Sequence, residues 1–179
     1  MDQSPLILVA VHDIVSRKIL EGLLGNSGYR LLLAEDGVKA IEAVNAYNPD
    51  LVLLDITMPK MNGLEVLKRI KEEEGTRLIP VVMVTASSQR DERIRAIELG
   101  SDDFLSKPID DLELQVRMRS LLRFKTYLDE IIRYRSQMEN QVESLMKEMS
   151  SSLVAIAKVS SCIRSIDDSR DLMKTFATR

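Results

Sequence analysis

The chain has 179 residues, with 25 Lys and Arg against 28 Asp and Glu, a formal charge of −3 and 45% hydrophobic side chains. This is a globular composition, and no apolar run approaches the ~18 residues that a bilayer-spanning helix needs. One cysteine, Cys162, and one histidine, His12, exclude an internal disulfide and His-rich or multi-cysteine zinc chemistry, and Lys and Arg are not concentrated as nucleic-acid binding would require.

Residues 1–5 run directly into Leu6-Ile7-Leu8-Val9 with no basic region and no small-residue cleavage site, which predicts a cytoplasmic protein. Short apolar runs over 6–11, 29–34, 51–54, 81–84 and 103–105 predict strands, punctuated by turn signals such as Asn26-Ser27-Gly28 and Asn48-Pro49-Asp50. Helical patterns follow each of them, over 15–24, 38–47, 63–73, 92–99 and from 110 onward. Several strands are apolar on both faces, which predicts an α/β fold with a parallel sheet covered on both sides. In such sheets the functional crevice lies beyond the carboxyl ends of the strands, where strand order switches.

The residues following the strands therefore carry the chemistry. Asp55-Ile56-Thr57-Met58-Pro59-Lys60-Met61-Asn62-Gly63 follows the third strand, Thr85-Ala86 the fourth and Ser106-Lys107-Pro108 the fifth. A carboxylate at Asp55 is able to accept a phosphoryl group. A hydroxyl at Thr85 is suited to bond a phosphoryl oxygen, and an ammonium at Lys107 to pair with the resulting charge.

Asp55 with Met58-Pro59 and Gly63, then Thr85-Ala86, then Lys107-Pro108, in that order and on those elements, resembles the receiver domain of two-component response regulators over residues 6 to about 123. The resemblance implies a flavodoxin-like five-stranded parallel (βα)5 sheet. It also implies phosphoryl transfer to Asp55 from the phosphohistidine of a histidine kinase or phosphotransfer protein. Thr85 and Phe104 would be the switch pair, and the backbone carbonyl of Thr57 would help Asp55 hold Mg²⁺.

The first strand departs from this pattern. Receivers carry two acidic residues after it, and here those positions fall on Val11 and His12, with Asp13 one residue later. Valine cannot ligate a metal and neutral imidazole suits Mg²⁺ poorly, so the expected metal site, Asp55, Thr57 and Asp13, is a weakened one. Asp13 alternatively serves as a helix N-terminal carboxylate. His12 is either a plain polar residue at a strand end or a pH-sensitive cation replacing part of the metal's charge.

All 7 glycines and all 5 prolines lie at or before Pro108, so the remaining 71 residues contain neither of these turn-forming residues. From Leu128 a heptad emerges. Leu128, Arg135, Val142, Met149, Ile156 and Ile163 take position a, and Ile131, Met138, Leu145, Ser152, Val159 and Ile166 take position d. Ten of the twelve are apolar, about twice the number that 45% hydrophobic composition gives by chance. The expected organisation is a receiver over 1–123 and a coiled-coil signalling helix over 124–179 that forms a parallel homodimer. A helical hairpin bent at Ser150-Ser151-Ser152 is the competing arrangement.

No Gly-rich cyclase signature and no paired His-Asp of a phosphohydrolase is visible in the tail. The chain therefore reads as a non-enzymatic receiver with a coiled coil, or as the front of a longer protein. Two functions compete: a phosphorelay receiver signalling through a dimeric helix, and a pseudo-receiver that is not phosphorylated and acts as an assembly scaffold. Neither requires nucleic acid or a membrane.

Overall fold

The computed structural model describes the backbone of residues 4–86 and 90–177, and the side chains of these up to 160 except Ala155. Strands β1 (Leu6–Ala10), β2 (Arg30–Ala34), β3 (Leu51–Asp55), β4 (Val81–Ala86) and β5 (Asp103–Lys107) alternate with helices α1 (Ile14–Gly25), α2 (Gly37–Tyr47), α3 (Gly63–Glu72), α4 (Arg90–Glu98) and α5 (Asp111–Ala177). The strands form one parallel sheet in the order β2-β1-β3-β4-β5, the flavodoxin-like arrangement.

The strand sequences explain that order. β1, β3 and all but the last residue of β4 are buried throughout, as central strands with helices on both faces must be, whereas β2 and β5 are partly exposed edges. Alternate side chains then build two cores. Leu8, Val52, Leu54 and Met83 pack with Val44, Val66, Leu67, Ile70 and Ala96 of α2, α3 and α4. Ile7, Val9, Leu53, Val84 and Leu105 pack with Leu20 and Leu24 of α1 and with Leu114, Met118 and Leu122 of α5. Each such fully buried aliphatic side chain contributes about 1.5–3 kcal/mol. The strand order turns around between β1 and β3, which sets the ends of these two strands side by side at the switch point.

Helix α5 runs for 67 residues without interruption, continuing through Ser150, Ser151 and Ser152 where the hairpin alternative would bend. The chain divides into two compact units, Met1–Leu128 and Asp129–Arg179. In the second, the apolar seam residues Ile131, Met138, Val142, Leu145, Met149, Ile156 and Val159 are all exposed. The side chains of Ile163 and Ile166 lie outside the described residues. Among the described residues no helix is long and apolar enough to cross a membrane.

Candidate functional site

The site is assembled where β1, β3, β4 and β5 end. Asp55, the last residue of β3, is only 4% exposed, and its carboxylate receives a hydrogen bond from Lys107 Nζ at 2.7 Å and one from the Thr57 N–H at 3.3 Å. Lys107 closes β5, two strands away across the sheet, so the fold brings together residues 52 positions apart. A carboxylate this deeply buried needs such a partner, because an unpaired buried charge costs several kcal/mol.

The loop from Ile56 to Asn62 is held at both ends. Gly63 N–H donates to the Ile56 carbonyl at 2.8 Å, and a Cβ on residue 63 would collide with the Asp55 carbonyl oxygen, so glycine is needed there. Asn62 and Glu65 form a capping box at the start of α3. Midway, Lys60 adopts a left-handed φ of 64° and reaches Asp36 at 2.6 Å. Asp36 is buried and caps α2. The Lys39 backbone N–H first, then Lys60, holds its carboxyl below the usual range. A Cβ at Gly37 would strike the Met61 carbonyl, so the β2–α2 turn and the phosphoacceptor loop are pressed together. The sequence reading missed this clasp. The adjacent Asp36-Gly37 pair, an N-cap followed by a residue without a Cβ, was its available signal.

Thr85 and Phe104 sit on the neighbouring strands. Asp55 is in register with Val84 and Thr85 with Ser106, which places Thr85 one residue beyond Asp55. The Thr85 side chain is buried and its hydroxyl donates to the Ala86 carbonyl at 3.1 Å. Phe104 packs against the α2–α3–α4 core, with the Arg93 guanidinium carbon 4.9 Å from its ring centroid.

The end of β1 is different in kind. Val11 extends the ladder through its N–H to the Ala34 carbonyl at 3.2 Å, and its side chain is completely buried in the α1–α5 core. Since Ala10 pairs with Leu54, Val11 is level with Asp55 on the adjacent strand. His12 is exposed. Asp13 is the N-cap of α1, accepting from the Ser16 hydroxyl at 2.6 Å, the Ser16 N–H at 2.7 Å and the Val15 N–H at 3.4 Å. The Ser16 hydroxyl, then the Ser16 N–H, holds its carboxyl below the usual value. Lys107 adds a smaller pull in the same direction, so Asp13 lies within that ammonium's field.

These donors can be set against Mg²⁺, which seeks near-octahedral oxygen ligands including one or two carboxylates. Asp55 is tied to Lys107, Asp13 is tied to the helix cap, and Val11 contributes packing. No group of three or more His, Cys, Asp and Glu side chains gathers around a potential ion among the described residues. The residues present do not make a resident Mg²⁺ pocket.

Comparison with known proteins accounts for the pattern. The chain matches the response regulator receiver domain over residues 7–119. It is 42% identical over 125 residues to the response regulator PleD of Caulobacter vibrioides, a match covering 69% of this chain and 28% of PleD. Among solved structures, the receiver domain of Francisella response regulator 1452 is 28% identical with a TM-score of 0.62, covering 67% of this chain and 98% of that one. The receiver domain of the Pseudomonas aeruginosa sensor histidine kinase PA1611 was solved with a magnesium ion coordinated in its active-site cleft. It is also 28% identical with a TM-score of 0.62, covering 69% of this chain and 99% of that one. The chain thus spans well under two thirds of PleD's length, and what matches is the receiver portion. A doubly wound sheet in the order β2-β1-β3-β4-β5, with a lysine-held aspartate at its switch point, and these matches make the chain a member of the response regulator receiver family.

Proposed function

We propose that this chain is the receiver of a two-component phosphorelay that takes a phosphoryl group on Asp55 and passes its state on through a dimeric helix α5. The observation that carries the reading is the Asp55 carboxylate, buried at the end of β3 and held 2.7 Å from Lys107. Receivers of this family work with histidine kinases or phosphotransfer proteins. In the transfer, a carboxylate oxygen of Asp55 attacks phosphorus, the O–P bond forms as the N–P bond of a phosphohistidine breaks, and the electron pair leaves on the imidazole nitrogen. Such reactions depend on positioning and on neutralising charge. Lys107 meets the new charge directly. Thr85 does so by turning its hydroxyl from the Ala86 carbonyl, and Thr85 and Phe104 are the pair whose rearrangement reports the event. Mg²⁺ has no ready place in this step, since Asp13 would have to leave its helix cap to join Asp55 and the Thr57 carbonyl in holding it.

A donor placing phosphohistidine over Asp55 has to cover the start of α1, where Ile14, Val15 and Ile19 are exposed and offer an apolar landing. Residues 1–123 form the receiver and 124–179 the signalling helix, whose exposed a and d residues pair with a second copy. The site is tested by incubating the full chain with acetyl phosphate, with and without Mg²⁺, and mapping the adduct. An adduct on Asp55 supports the reading, and its absence under both conditions refutes it. Light scattering on the full chain and on residues 1–128 tests the dimer, which requires only the full chain to be dimeric.

The second reading, an unphosphorylated scaffold, draws on one specific observation. Val11 is buried in the core and Asp13 is engaged in a cap, where a phosphorylated receiver needs free carboxylates. The same acetyl phosphate experiment separates the two.

A further inference from the structure

We infer that the Asp36–Lys60 ion pair is a positioning element for phosphoryl transfer, clamping the loop that follows Asp55 so that its carboxylate is held for attack on phosphorus. The inference rests on Asp55 being the phosphoacceptor. The two oxygens of that carboxylate have unlike supports: Oδ2 accepts from Lys107 Nζ at 2.7 Å, and Oδ1 from the Thr57 N–H at 3.3 Å. Lys107 belongs to β5, whereas Thr57 belongs to the irregular loop from Ile56 to Asn62. At 3.3 Å the Thr57 bond is already longer than the usual N–H···O contact, so a small outward shift of the loop releases Oδ1.

Lys60 is the loop's one charged residue, and it is where the loop is fastened. Its φ of 64° lies in the left-handed region, which glycine enters freely and a lysine occupies only where its surroundings impose it. Two contacts with the β2–α2 turn impose it here: Lys60 Nζ donates to Asp36 Oδ2 at 2.6 Å, and the Met61 carbonyl lies against Gly37 where a Cβ would stand. The pair is lopsided, with the Lys60 side chain 60% exposed and that of Asp36 only 2%, so the buried carboxylate is the anchor and the ammonium comes to it. Asp36 is itself fixed as the N-cap of α2, accepting the Lys39 N–H on Oδ1 at 2.9 Å. The part set free when the pair is broken is therefore the loop. The end of β1 offers it no other hold, since Val11 is packed in the core and Asp13 is engaged in its helix cap. Phosphoryl transfer depends on positioning above all, and misplacing a reacting group by about 1 Å costs on the order of a hundredfold. A loop unfastened at Lys60 keeps Asp55 and Lys107 but lets Thr57, and with it Oδ1, drift.

The test is the initial rate of phosphoryl uptake from acetyl phosphate by the full chain, read as the adduct on Asp55 by mass spectrometry, with and without Mg²⁺. Wild type, Lys60→Met, Lys60→Arg, Asp36→Asn and the double variant of Asp36→Asn with Lys60→Met are compared well below their Tm, with circular dichroism confirming each fold. A small donor needs no docking surface, so the rate reports the site itself. Lys60→Met and Asp36→Asn are each expected to slow uptake about tenfold, and the double variant no more than either, because all three remove the same fastening. Lys60→Arg still pairs with Asp36 and should stay within about threefold of wild type. If Lys60→Met reacts at the wild-type rate, if Lys60→Arg loses as much as Lys60→Met, or if the two single losses multiply in the double variant, the inference is overturned while Asp55 stands as acceptor. Absence of an adduct in wild type under both conditions overturns the acceptor reading with it. Should Asp36→Asn not fold, Lys60→Met against Lys60→Arg decides alone.

Discussion

Replacing Lys107 by methionine removes the ammonium 2.7 Å from a carboxylate whose side chain is only 6% exposed. At an effective dielectric near 20 the gross attraction at that separation is about 6 kcal/mol, much of it offset by desolvating the two ions. Lys107 keeps 28% of its side chain in water, so the two deletions are unequal. Lys107→Met strands a buried charge and is expected to cost about 3 kcal/mol, a fall of roughly 10 °C in Tm. Asp55→Asn leaves an ammonium that can turn to solvent, and is expected to cost about 1 kcal/mol. The double variant should cost about 2 kcal/mol, so that urea denaturation of all four proteins yields a coupling of about 2 kcal/mol. Additive costs within about 0.5 kcal/mol would show that the two groups do not sense each other, and would refute the electrostatic construction of the site.

Gly63→Ala forces a Cβ against the Asp55 carbonyl and is expected to destabilise by about 2–3 kcal/mol while lowering phosphoryl uptake, measured by urea denaturation and adduct mass. Asp13 has its carboxyl held below the ordinary 3.8, so its stabilisation is present above that value and is lost as pH falls through the lower folded value. Asp13→Asn keeps the cap but not the charge, and the Tm gap to wild type at neutral pH should therefore close as pH falls below the ordinary carboxylate value; a gap that persists in acid contradicts the assignment. Leu145→Asp places a charge on the exposed seam and is expected to give a monomer by light scattering without changing beryllofluoride binding at Asp55.

The sheet was legible in the sequence because its signal is redundant. β1, β3 and β4 are apolar up to their last residues, a pattern that a doubly covered sheet accommodates, and Asp55 closes β3, Thr85 stands at the end of β4 and Lys107 closes β5. The observed bounds differ at the polar ends: Thr85 and Ala86 belong to β4, and Ser106 and Lys107 to β5. These residues continue the backbone ladder although their side chains carry no apolar signal. Contacts between residues distant in sequence were not legible. The pairing of Asp36 with Lys60 depends on two loops meeting, and the docking of Arg17 on Val11 depends on a side chain folding back over a strand end. For Asp13 the local rule sufficed, because Ser16 three residues on completes an ordinary N-terminal cap. The unbroken helix through Ser150–Ser152 follows from the lack of glycine and proline beyond Pro108.

The central claim is that Asp55 accepts a phosphoryl group. Wild type and Asp55→Asn, incubated as full chains with acetyl phosphate and trapped with borohydride, are to be compared by peptide mass spectrometry. A single modified peptide containing Asp55 is expected in wild type and none in the variant. An unmodified Asp55 in wild type, both with Mg²⁺ and without, would contradict it and leave the chain an assembly scaffold.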